Sequence, residues 1–215
     1  MDSNDSSAGV KPRRAYRSAR RQALAEATRR RILGAARRLF VERGYGGTGV
    51  EALAEAAGVA VPTLYTTFGG KRGILDALFA DMERDVGVVE RFDRVAAEPD
   101  PVLRLRHVAR IHRDFVERYW DVLEALRTAA ASAPDVAAAW RAADAHRLRD
   151  ARVVARSLAR DGALRPGLTE EEAADVVWLL TSPDTYRHLA VERGWPLDRY
   201  EAWLGDALIQ LLLPQ

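Results

Sequence analysis

The sequence predicts an all-α protein, and three observations carry that expectation. Alanine, leucine, arginine and glutamate, all strong helix formers, dominate the composition. No stretch alternates cleanly between apolar and polar residues, as a half-buried strand would. Runs of β-branched residues, which favour strands, are short. At 215 residues and 48% hydrophobic, the chain can bury a core and hold a small domain beside a larger one.

Taken in order, residues 1–21 open with Asp, Ser and Gly and then become basic through Lys11, Arg13, Arg14, Arg17, Arg20 and Arg21, which reads as a disordered basic arm. Such an arm either adds contacts to a nucleic-acid backbone or is a solvated tail. The first helix is expected over 26–43, with Ile32, Ala35, Ala36, Leu39 and Phe40 on one stripe and Gly44 ending it. The glycine-rich run 44–49 follows no strand and lacks a Lys-Ser/Thr pair, so it reads as a turn. Two short helices follow, joined by a tight turn at Gly58. Val50, Leu53, Ala54 and Ala57 line the inner face of the first, and Ala60, Leu64 and Phe68 that of the second. Packing these faces together leaves Val61, Pro62, Thr63, Tyr65, Thr66 and Thr67 pointing outward. Hydroxyls and methyls of this size suit the major groove of DNA. An ordinary helical hairpin with a Thr-rich surface is the alternative.

Charge separates these readings. Residues 1–72 hold 14 Lys and Arg against 6 Asp and Glu, whereas the remainder holds 19 against 25, so a net charge of +2 hides a basic head and an acidic body. That asymmetry is expected when one end of a chain meets nucleic acid. Since 31 of the 33 basic residues are arginines, the segregation is informative and the total is not.

Beyond Lys71 a long helix is expected, with Leu75, Leu78, Phe79, Met82, Val86 and Val89 on one face. Glu98-Pro99-Asp100-Pro101 breaks the chain, and helices are expected over 102–119, 121–132, 135–160, 170–181, 183–193 and 197–213. Thr169 with Glu172 forms a capping box, Ser182 caps before Pro183, and Gly162 and Gly194 sit at helix stops. The last helix has the most regular stripe, with Tyr200, Trp203, Leu204, Leu208 and Leu211 among its members. It either closes its own core or packs against a second copy, and a twofold pair of short reader helices favours the second reading.

By these residues the chain resembles the tetracycline-repressor (TetR) family of bacterial transcription regulators. The likeness runs over 28–79 and rests on ILGAARRLFVERGY, TGVEALAEAAGV and PTLYTTF followed by Lys71. It implies a three-helix helix-turn-helix DNA-binding domain at 22–72 and a helical ligand-binding and dimerisation domain at 73–215. It also implies a homodimeric repressor on a palindromic operator, released by a small molecule. By the same resemblance Thr48 faces the DNA backbone; Val61, Pro62, Thr63, Tyr65 and Thr66 lie at the groove; Thr67 and Lys71 hold phosphates. The departures are Gly49 in place of a capping Ser or Thr, Thr67 in place of Tyr or His, and Gly70 in place of a capping Ser, Asn or Asp.

In the body His112, Phe115 and Tyr119 share an inward stripe, and Trp120, Trp140 and Tyr186 are further large aromatics that could line an effector pocket. The plainer reading is core packing. The absence of cysteine excludes disulfides and thiolate chemistry. The four histidines lack a Glu three residues before them, and no nucleophile elbow surrounds Ser132, Ser157 or Ser182. We therefore expect no enzyme, no metal and no cofactor. No apolar run is long enough for a membrane span and no signal core opens the chain, which places the protein in the cytoplasm.

Overall fold

The computed structural model describes residues 12–214, with side chains from 19 onward. Ten α-helices follow in order: α1 Pro12–Arg43, α2 Val50–Ala57, α3 Val61–Phe68, α4 Lys71–Val86, α5 Val88–Ala97, α6 Pro101–Ala130, α7 Pro134–Arg160, α8 Glu170–Leu180, α9 Pro183–Tyr186 and α10 Leu197–Leu212. A π-helical turn, Arg187–Glu192, continues α9, and no strand occurs among the described residues. The all-α expectation holds.

The first helix begins well before 26. Pro12 stands at its first turn, and Ala, Arg, Gln and Leu then run on with no glycine until Gly34, so nothing ends it. Residues 12–21, expected as disordered arm, are therefore helical; residues 1–11 lie outside the described residues. The inner stripe of α1, including Ile32, Ala36, Leu39 and Phe40, is fully buried or nearly so. It packs on α2 and α4.

Two other boundaries differ from expectation. The helix from Lys71 does not pass through Gly87, which takes φ 66° and closes α4, so α5 starts a new direction and Val89 is exposed. A residue with a Cβ rarely adopts that conformation. Conversely, 102–119 and 121–132 are one helix, α6, because no glycine or proline stands at Trp120-Asp121 to break it.

Several helix ends have the expected chemistry. The amide of Glu172 donates to the Thr169 hydroxyl at 3.2 Å, and the amide of Thr169 donates to the Glu172 carboxylate at 2.9 Å. Ser182 accepts from the Asp184 amide at 3.2 Å. Asp100 caps α6, accepting from the Val102 amide at 2.8 Å, with Pro101 as first helical residue. In the body α7 packs along α8, and α6 lies between α7 and α10. The α10 stripe Tyr200, Leu204, Leu208 and Leu212 is fully buried within this one chain.

Candidate nucleic-acid interface and ligand cavity

Helices α2 and α3 meet through a turn at Gly58, φ 63°, whose amide closes back on the end of α2. Leu53 and Leu64 face each other's helices and are fully buried, which fixes the roll of α3. Its opposite side presents Pro62, Thr63, Tyr65, Thr66 and Thr67 as exposed residues, with Val61 half-buried. The Thr66 hydroxyl donates to the Pro62 carbonyl at 2.8 Å and that of Thr67 to the Thr63 carbonyl at 2.7 Å. Their hydrogens are thus used inside the helix, while oxygen lone pairs and methyls remain outward. Tyr65 is 52% exposed and its ring lies near Gly70.

Two of the expected backbone contacts sit differently. Thr48 is 1% exposed, and its hydroxyl donates to the Gly44 carbonyl at 2.8 Å with the Leu39 carbonyl at 3.2 Å. It ties the last turns of α1 to the turn that follows rather than facing outward. Lys71 is half-buried, its ammonium donating to the Tyr45 carbonyl and lying 3.8 Å from the centre of the Tyr45 ring. Burial lowers its pKa. The Tyr45 hydroxyl in turn donates to Asp135 at the start of α7, and Arg72 Nη1 donates to the Asp135 carbonyl at 2.9 Å. Lys71 belongs to a junction between the small domain and the body.

Gly73 is a residue that sequence reading passed over. A Cβ there would lie 1.8 Å from the Phe68 carbonyl oxygen, so the end of α3 is seated directly on the first turn of α4. A glycine among ordinary helix formers after Lys71 was the available signal. The exposed arginines 30, 31, 38 and 43 lie on α1, and the Arg29 guanidinium lies 4.8 Å from the centre of the Phe68 ring.

The body forms a partly open cavity of about 530 Å³ between α4, α5, α6, α7, α8 and α9, walled by Phe79, Phe92, Phe115, Trp140 and Trp178 with His112 among them. Of the expected pocket residues, His112, Phe115 and Trp140 line it. Tyr119, Trp120 and Tyr186 do not. The Tyr119 hydroxyl donates to Asp85 at 2.5 Å, and the ring of Trp120 packs on Tyr186 at 5.1 Å. Trp178, Arg147 and Asp150 were missed, since helical spacing within α7 and α8 says nothing about which space they share.

His112 is the outlier in this wall. Its Nε2 is buried without a hydrogen-bond partner, and its ring lies 6.0 Å from that of Tyr200, whose hydroxyl is also unpartnered. Burial, helped by the positive charge of Arg147, pushes the imidazole pKa down to about 3. Its ordinary value is about 6.5, so below that pH the unfolded chain takes a proton that the folded chain refuses. Stability from this group is complete above about 6.5 and falls with pH, by on the order of 2 kcal/mol at pH 5. His112→Leu is expected to flatten the stability curve over that window. Denaturant unfolding of both proteins at pH 7 and pH 5 tests it, and an identical pH dependence would refute the assignment.

The interface expectation on α10 needs correction. Tyr200, Leu204 and Leu208 are each 0% exposed and form the chain's own core against α6 and α8. Of the expected set, only Trp203, half-buried, and Leu211, 39% exposed, reach the surface. A regular stripe reveals which residues share a face and is silent on what covers it.

A short helix held outward by a helix-turn-helix, with a separate helical body behind it, is the fold of a DNA-binding transcription regulator. Residues 32–78 match the family described as bacterial regulatory proteins, tetR family. Solved structures with the same fold include SmeT in complex with triclosan, at TM-score 0.71 and 22% identity over 88% of this chain and 93% of that one. NalD, the secondary repressor of the MexAB-OprM multidrug efflux pump in Pseudomonas aeruginosa, aligns at TM-score 0.69 and 22% identity, covering 89% of this chain and 99% of that one. PfmR, a TetR family transcriptional regulator from Thermus thermophilus, aligns at TM-score 0.62 and 22% identity over 86% and 97% of the two chains. No curated protein sequence matches the chain. No helix among the described residues is long and apolar enough to cross a membrane.

Proposed function

We propose that the protein is a homodimeric, ligand-responsive repressor that binds a palindromic operator through α3 and leaves it when a small molecule fills the body cavity. The observation that carries this reading is the outward Pro62, Thr63, Tyr65, Thr66 and Thr67 surface on a domain rich in arginine. On this reading residues 22–72 are the DNA-binding unit and 73–215 the sensing and dimerising one. Thr63, Tyr65 and Thr66 meet base edges, with Val61 and Pro62 against thymine methyls. Thr67 donates to a phosphate oxygen by turning its hydroxyl hydrogen away from the Thr63 carbonyl, while Lys71 adds positive charge at the backbone from its seat on Tyr45. Trp203 and Leu211 contribute to the contact between copies. The cavity between α4, α5, α6, α7, α8 and α9 supports the effector role, as does a relative of this fold solved with triclosan.

Selection of bound sequences from a random duplex pool at two salt concentrations tests the reading. An enriched palindrome is expected; binding that depends on salt and never on sequence would sink it. On the selected site Thr63→Ala and Tyr65→Ala are each expected to lower affinity about tenfold and to relax base preference, as loss of a base contact does. Lys71→Ala should weaken binding on every sequence and reduce the salt slope by about one unit.

A further inference from the structure

The cavity holds more negative charge than its own cations neutralise. Arg147, the cation in its wall, is occupied: Nη1 donates to the Trp178 carbonyl at 2.7 Å and Nη2 to Asp144 Oδ1 at 2.6 Å. Asp184 pairs with Arg187 at 3.3 Å. That leaves two carboxylates, Glu83 from α4 and Asp150 from α7. Glu83 has only the His146 imidazole, 3.8 Å away. Asp150 makes no hydrogen bond or ion pair among the described residues, and Arg149 and His146 act on it only at longer range. Burial first, and then the charge of Glu83, push the Asp150 carboxyl up to about 6. Elsewhere in the wall His112, 8% exposed, keeps a buried Nε2 without a partner.

A half-buried carboxylate beside a second one is unfavourable unless something positive sits between them. The rest of the wall is aromatic, and the faces of Phe and Trp also attract cations. We propose that the cavity's effector is an amphipathic organic cation, its charged centre held by Asp150 and Glu83 and its apolar body among Phe79, Phe92 and Trp140. A hydrogen-bonding group at its other end would meet His112. The proposal rests on the cavity being the effector site and narrows that site to one charge class. An apolar or anionic effector would leave the half-buried Asp150 with no counter-charge.

Two probes of matched shape and opposite charge decide the matter: tetraphenylphosphonium and tetraphenylborate, titrated calorimetrically into the full-length protein at pH 7.5. The cation is expected to bind and the anion to bind at least tenfold more weakly, a difference of about 1.4 kcal/mol. Asp150→Asn is expected to lower the cation's affinity about tenfold and to leave or improve the anion's. It should also raise the unfolding temperature, because it removes an unpaired charge, so a folding defect does not confuse the result. Glu83→Gln gives a second reading from the other helix. Equal or tighter binding of the borate, no binding of the phosphonium, or an unchanged phosphonium affinity in Asp150→Asn would each overturn the proposal. A parallel titration of operator-bound protein separates the two claims: phosphonium that binds without releasing DNA would count against effector-controlled release and leave the charge class intact.

Discussion

Replacing Gly73 with alanine is expected to destabilise the N-terminal domain by about 3 kcal/mol, the upper end of what overpacking costs, and to weaken operator binding with it. The new methyl would fall 1.8 Å from the Phe68 carbonyl oxygen and 2.9 Å from its carbon, both backbone atoms that no rotamer change can clear. Relief requires α3 to tilt away from α4, which shifts the exposed face that bears Thr63, Tyr65 and Thr66. Gly34 supplies the control. It lies in the middle of α1 with nothing within 4 Å of a built Cβ, so Gly34→Ala should gain about 1 kcal/mol of helix stability. Denaturant unfolding of the two variants, with operator affinity measured in parallel, gives opposite signs if the α3–α4 contact is as tight as described. A Gly73→Ala protein with unaltered stability would mean that the contact yields freely.

Arg104→Ala is expected to cost about 3 kcal/mol and to lower the unfolding temperature by roughly 10 °C. Arg104 is 1% exposed, the largest of the fully buried side chains. Its guanidinium donates to the Glu98 carbonyl, to Ser157 Oγ at 3.0 Å and to Asp161 Oδ2 at 2.7 Å. One side chain therefore ties the end of α5 to the start of α6 and the last turn of α7. Truncation leaves a void and strips the Glu98 carbonyl and Ser157 hydroxyl of a donor. Arg104→Met keeps most of the volume and should recover part of the loss, since a buried ion pair replaced by apolar bulk is often tolerated. Thermal unfolding of the three proteins tests this ordering. Alanine and methionine variants of equal stability would place the effect in the charge and not in the packing.

The helix-turn-helix was legible because its signals are local. Apolar spacing in 50–57 and 60–68, a glycine at 58 and the basic head all lie within one short stretch, and α2 and α3 fall within one residue of where that spacing put them. What escaped depends on distant parts of the chain. The Tyr45–Asp135 hydrogen bond joins residues 90 apart, and Lys71 and Arg72 meet that same pair at the domain junction. Trp178 and Asp150 share a cavity only because α7 and α8 run side by side. The burial of Tyr200 and Leu204 likewise depends on α6 covering α10. Gly87, like Gly73, was a local signal overlooked, its helix-ending role hidden by valines on either side that keep the apolar spacing going.

Helix α7 touches both the small domain and the cavity. Asp135, its second residue, receives the Tyr45 hydroxyl, while Trp140, Asp144, Arg147 and Asp150 further along it line the cavity. A single rod thus has one end against the small domain and its middle in the wall of the chamber. If occupancy of that chamber shifts the rod and thereby changes affinity for DNA by some factor, thermodynamic reciprocity requires DNA to change affinity for the occupant by the same factor. The operator is then itself an effector, one that tunes how much of the small molecule must accumulate before the chamber fills.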